Sequence, residues 1–185
     1  QKPVESGCQN KDGELIPADA SALKRAAAYN GDLSDVCAYR FEAALSLVRA
    51  AHLENQTITI ELIVQACTNA RDDFVLVEGA GGFYSPLASD GLNADLAEGL
   101  QLPVLLVAND RLGCINQILL TAEAISNRGL KLAAVILNAK DQQTNLDMNN
   151  AEDLRDYIDA PIYTIAHAQN NNGMIEDLGN YLQSL

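Results

Sequence analysis

The sequence predicts an α/β fold in which a mostly parallel sheet carries helices on both faces. Four short apolar runs, 74–78 (FVLVE), 103–108 (PVLLVA), 132–137 (LAAVIL) and 161–165 (PIYTI), are rich in Val, Leu and Ile. Continuous runs of this kind suit strands buried on both faces. Segments of helical period separate them: "NADLAEGL" from Asn93, "INQILLTAEAISNRG" from Ile115 and "NAEDLRDYI" from Asn150. Strand alternating with helix at this rhythm builds a parallel sheet, and ligands in such sheets bind at the carboxyl ends of the strands.

Each element has its own local reason. In the segment from Ile115, Ile118, Ala122 and Ile125 share one helical face, and Gly129 follows as a C-terminal stop. The first 72 residues read as more helical. "PADASALKRAAAYN" starts a helix near Asp19, and "ITIELIVQACTNARD" leads into the first apolar run. No repeat, low-complexity tract or linker interrupts residues 1–185, so one α/β domain is expected, burying roughly 70% of the surface its unfolded chain exposes.

Hydrophobic residues make up 48% of the chain and charged residues 20%, and no apolar run approaches the ~20 residues of a membrane span. Twelve Lys and Arg against 25 Asp and Glu leave a formal charge of -13. That balance disfavours nucleic acid and anionic membranes as partners and favours cations and small ligands. The opening "QKPVESGCQ" has neither the basic start nor the apolar core of a signal peptide. Cys8, Cys37, Cys67 and Cys114 form no CxxC pair. They read as free packing thiols in a reducing cytoplasm.

Three stretches can carry chemistry. Glu78 ends an apolar run and precedes Gly79, Gly81 and Gly82, which let a backbone approach a ligand. Its carboxylate suits Mg2+, which can bridge phosphate oxygens, or it is a solvated turn residue; both readings stand. "RLGCINQ" places Gly113 and a run of backbone amides at a helix start, which attracts an anion or simply connects strand to helix. In "KPVESG", Lys2 and Ser6 flank a strand end, where the lysine pairs with an anion or lies in solvent. His52 and His167 stand alone, with no Ser or Cys arrangement that points to a triad.

Together, "KPVESG", "VLVEGAGG", "NADLA", "LPVLLVANDRLGCINQILLTAEAI" and the Asn138 that closes "AAVILN" resemble the dethiobiotin synthetases, in order and spacing, from residue 1 to about 165. The resemblance implies a three-layer sheet of the P-loop NTPase type and an ATP-dependent ring closure. In that reaction CO2 and 7,8-diaminopelargonate give a carbamate, ATP phosphorylates it, and the neighbouring amine closes the ring to dethiobiotin. Two anions must then be held close together in line. By the resemblance, Lys2 neutralises the carbamate and Ser6 bonds to it, while Asp19 and Glu78 serve Mg2+. Gly82 lines the substrate, and the amides of Gly113, Cys114, Ile115 and Asn116 hold its carboxylate across a homodimer interface. Asn138 reads the adenine edge, with Ala166 and His167 beside the nucleotide.

The chain departs from the family pattern in places. No G-x-x-x-x-G-K-T loop occurs in it, and its first residue is Gln1 rather than Met. The expectation is that a strand, P-loop and helix of roughly 30 to 40 residues stand ahead of Gln1, and that the 185-residue chain alone is unstable. Ser46, Leu47 and Val48 replace a Ser-Pro-His, and Ala166 replaces a Pro before His167. The tail from Ala168 matches weakly, which leaves nucleotide contacts beyond Asn138 open. The alternative reading is a P-loop-less, non-catalytic sensing or assembly module of the same fold. A cobyrinate-type amide synthetase is more remote, since no glutaminase portion is visible.

Overall fold

A computed structural model describes residues 1–68, 74–141 and 147–185. They divide into two units, Gln1–Leu100 and Gln101–Leu185.

In the first unit, β1 (Val4–Glu5) is followed by a hairpin, β2 (Gln9–Lys11) and β3 (Glu14–Ile16), and by α1 (Ala18–Ala26) and α2 (Leu33–Val36). The chain returns as β4 (Tyr39–Arg40), parallel to β1 with Glu5 opposite Arg40. Asp12 and Gly13 both have positive φ, as a two-residue hairpin loop requires, and the Asn10 side chain accepts from the Gly13 amide at 3.0 Å. Next come α3 (Leu47–Leu53), α4 (Ile60–Thr68), the short antiparallel pair β5 (Pro86–Ala88) and β6 (Gly91–Leu92), and α5 (Asn93–Leu100). Val4, Phe41, Leu47, Ile63, Leu87 and Leu96 bring these elements into one apolar cluster.

The apolar run 74–78 does not form a strand ladder. The N-terminal amino group donates to Leu76 O, and the Glu78 amide donates to Gln1 O at 2.8 Å, a parallel contact one residue long. Leu76 is 56% exposed, against the expectation of burial on both faces. A strand buried on both faces needs partners that extend its ladder and layers that cover each face, and among the described residues this run has one partner, briefly. Residues 69–72 of the helix expected ahead of it lie outside the described residues.

The second unit follows the predicted alternation. It runs β7 (Val104–Asn109), α6 (Cys114–Asn127), β8 (Leu132–Asn138), α7 (Asn150–Leu154), β9 (Ile162–Ile165) and α8 (Asn172–Gln183). The sheet order is β7-β8-β9, all parallel. Along β8, Val135 and Leu137 pack with Cys114, Ile118 and Leu154 of α6 and α7, whereas Ala134 and Ile136 pack with Leu178 of α8. Helices therefore cover both faces of this sheet. The edge strand β7 is less enclosed than its sequence suggests, with Val107 57% exposed. The helix at Asn150 is shorter than its pattern, ending at Leu154 before turns bonded to Leu154 O.

All four cysteines are free and buried. Burial pushes the Cys37 thiol up to about 12 and the Cys67 thiol up to about 11. The unfolded chain releases these protons near 9 while the folded chain keeps them. The thiols' contribution to stability is therefore complete below about pH 9 and declines as pH rises toward 12. Urea midpoints at pH 8 and pH 10.5 should differ more for the native protein than for Cys37→Ala; equal differences would remove this linkage.

Candidate active site around Lys2

Lys2 sits just ahead of β1, its amide bonded to Val36 O at 2.9 Å. Its ammonium reaches Glu78 Oε1 at 2.8 Å, Gly79 O at 2.8 Å and Asp19 Oδ2 at 3.6 Å. The lysine side chain is 7% exposed, whereas Asp19 and Glu78 are 61% and 54% exposed. One buried cation thus stands under two carboxylates that remain open to water. An ammonium has three hydrogens, and three acceptors surround this one. The trio carries a formal charge of one negative, which favours a further cation.

The glycine turn after Glu78 is fixed by Asn93, the first residue of α5. Its Oδ1 accepts from the Ala80 amide at 3.0 Å, and its Nδ2 donates to Ala80 O at 2.8 Å, Gly82 O at 3.0 Å and Ser85 O at 3.2 Å. Gly81 has φ +83, and a Cβ on Gly79 would lie 2.3 Å from Asn93 Oδ1, so neither position admits a side chain without strain. Ser85 Oγ accepts from the Gly82 amide at 2.9 Å. Gly82 is exposed at this turn.

Glu5 is buried, and both its oxygens accept from the first turn of α1: Oε1 from the Asp19 amide and Oε2 from the Ala20 amide, each at 3.0 Å. Ser6 is half-buried and donates to Leu45 O at 2.8 Å. Its hydroxyl proton is therefore engaged, and its lone pairs remain acceptors. Lys2, Asp19 and Glu78 are brought together, and no described bond joins Ser6 to them.

The remaining predicted residues lie in the second unit. Gly113 (φ 87) precedes α6. The Cys114 amide is bonded to Arg111 O at 3.1 Å and its side chain is buried, so this amide already has a partner. Gly113 and Asn116 are exposed and Ile115 half-buried. Asn138 ends β8 opposite Ile165 of β9, the residue before Ala166 and His167. Asn138, Ala166 and His167 thus share the carboxyl edge of one sheet. Asn171 clasps the loop there: Oδ1 accepts from the Ala166 amide at 3.1 Å, and Nδ2 donates to Ala166 O at 3.0 Å. His167 itself is exposed.

No cluster of three or more His, Cys, Asp or Glu able to hold a metal occurs among the described residues. Mg2+ does not need one, since one or two carboxylates plus water and phosphate oxygens satisfy it. The hard oxygens of Asp19 and Glu78 fit that donor set.

A family model described as AAA domain matches residues 1–173. The ATP-dependent dethiobiotin synthetase BioD of Ruthia magnifica subsp. Calyptogena magnifica is 40% identical over 162 residues, covering 88% of this chain and 74% of that protein. This chain belongs to the dethiobiotin synthetase family. The ATP-dependent dethiobiotin synthetase BioD of Vesicomyosocius okutanii is 42% identical over 138 residues, 75% of this chain and 63% of that protein. That of Ralstonia nicotianae is 42% identical over 163 residues, 86% and 71% respectively. The match thus spans about two thirds to three quarters of these relatives' own length. The dethiobiotin synthetases are ATP-dependent ligases, the enzyme class the resemblance implies. Sequence reasoning missed Glu5 and Asn93. A helix that opens on Pro17, which offers no capping side chain, was the available hint of an outside acceptor.

Proposed function

We propose that the complete protein is an ATP- and Mg2+-dependent dethiobiotin synthase, closing 7,8-diaminopelargonate with CO2 through a carbamate and its phosphoric anhydride, in biotin biosynthesis. The observation that carries the reading is the buried Lys2 ammonium shared by Asp19 and Glu78. Two anions that must meet need fixed positive charge and a cation site side by side. Lys2 neutralises the carbamate, and Ser6, its hydroxyl turned away from Leu45 O, donates to it. Asp19 and Glu78 hold Mg2+, which when bound neutralises phosphate charge. Gly82 lines the diaminopelargonate, and the amides of Gly113 to Asn116 of a second protomer, with that of Cys114 released from Arg111, take its carboxylate across a homodimer interface. Asn138 offers adenine a donor and an acceptor on one amide, with Ala166 and His167 alongside. The proposal includes a cytoplasmic homodimer without nucleic-acid or membrane partners; no described helix is long and apolar enough to cross a membrane.

The test is to supply the full-length protein with ATP, Mg2+, bicarbonate and diaminopelargonate and follow dethiobiotin by mass spectrometry together with phosphate release. Product that depends on every component supports the synthase. Diaminopelargonate binding with neither product nor ATP hydrolysis would favour the sensing-module reading instead.

A further inference from the structure

We propose that Glu5 is a positioning residue: its buried carboxylate docks the first turn of α1 and so fixes where Asp19 stands beside Lys2. The inference rests on the reading above, in which Asp19 serves the cation. The first turn of any helix leaves amides without intrahelical partners. In α1 the N-cap is Pro17, whose side chain supplies no acceptor. Glu5 replaces the missing cap from a different element, one oxygen for the Asp19 amide and one for the Ala20 amide, both at 3.0 Å. Bonds from a carboxylate to helix-start amides are charge-assisted and aligned with the helix dipole.

Glu5 is itself immobilised. It lies in β1 opposite Arg40, and its carbonyl accepts from the Phe41 amide at 2.9 Å. The Arg40 guanidinium bonds to the carbonyls of Cys37 and Leu15, so the helix-start amides are the carboxylate's described partners. The short segment from Lys2 to Glu5 therefore grips Asp19 twice: Glu5 takes its amide at 3.0 Å, and Lys2 faces its carboxylate at 3.6 Å. With Asp19 61% exposed, its own side chain has little packing to hold it, and the backbone grip sets its place.

The test uses the full-length protein with Glu5→Ala, Glu5→Gln and, as reference, Asp19→Asn. Free Mn2+ counted by electron paramagnetic resonance gives cation affinity, and steady-state assays give kcat and KM. Glu5→Ala should weaken Mn2+ binding about threefold to tenfold and lower kcat about tenfold, with KM for diaminopelargonate within twofold of native. Glu5→Gln, which keeps one acceptor oxygen, should fall between, and it carries the test if Glu5→Ala does not fold. Wild-type Mn2+ affinity in a folded Glu5 variant, while Asp19→Asn loses it, overturns the inference, as does an Asp19→Asn protein that binds Mn2+ normally. If the native protein makes no dethiobiotin yet Glu5→Ala still weakens Mn2+, the functional reading fails and the positioning role stands.

Discussion

Lys2→Met should lower turnover by about two to three orders of magnitude while tightening the hold on a divalent cation. The first effect is the usual cost of removing a fixed donor aimed at developing charge, roughly 10²- to 10³-fold. The second follows from geometry. In the structure the ammonium lies 2.8 Å from Glu78 Oε1 and 3.6 Å from Asp19 Oδ2, where it competes with any cation that the same oxygens would bind. Methionine keeps an apolar stem in the buried position but removes the charge, and the two carboxylates, over half exposed, hydrate readily. Screening by solvent keeps the gain modest, roughly threefold or more. Steady-state assays and Mn2+ titration of the full-length protein measure both. Weakened Mn2+ binding would mean that the lysine organises the carboxylates rather than competing for them.

Asn93→Ala should destabilise the fold by about 2–4 kcal/mol and raise KM for diaminopelargonate tenfold or more. Four side-chain hydrogen bonds to Ala80, Gly82 and Ser85 are lost together, each worth about 0.5–1.5 kcal/mol net. The turn they hold includes Gly82 and adjoins Gly79, whose carbonyl accepts from Lys2 at 2.8 Å. Asn93→Asp is the sharper variant, because it keeps the acceptor for the Ala80 amide and removes the three donated bonds. It should resemble Asn93→Ala rather than the native protein. Urea unfolding and the KM of the full-length protein decide the matter. A loss below about 0.5 kcal/mol would show that the backbone bonds from Asn93 to Ser85 O and from Ala94 to Phe83 O hold the turn unaided.

Much of the second unit was legible in the sequence because its strands pair over several residues and its helices present regular apolar faces. β7, β8 and β9 lie on three of the predicted runs and α6 on the helical segment predicted from Ile115, while in the first unit α5 spans the predicted "NADLAEGL". The run 74–78 has the same composition but only a one-residue contact, and composition does not report partners. The hairpin at Asp12-Gly13 carries plain turn chemistry but no apolar alternation to flag it, because its strands are three residues each, one exposed and the other only half-buried. α8 lies in the tail that family likeness covered poorly. In the site, Lys2, Asp19 and Glu78 are legible from residue order and family likeness. Glu5 and Asn93 are not: they act on amides and carbonyls eight to fifteen residues away, a reach that no periodicity encodes.

β8 is walled on both faces by different apolar clusters and paired on both edges. Five consecutive residues, Ala133 to Leu137, are buried, and the next is Asn138. The amide of that asparagine is therefore mounted at the end of the most enclosed strand described in its unit. Folding has already removed the conformational entropy of the backbone beneath it, so the adenine of the proposed function would have only one side chain left to order at Asn138, and selectivity there would reduce to the pattern of donor and acceptor that this side chain displays.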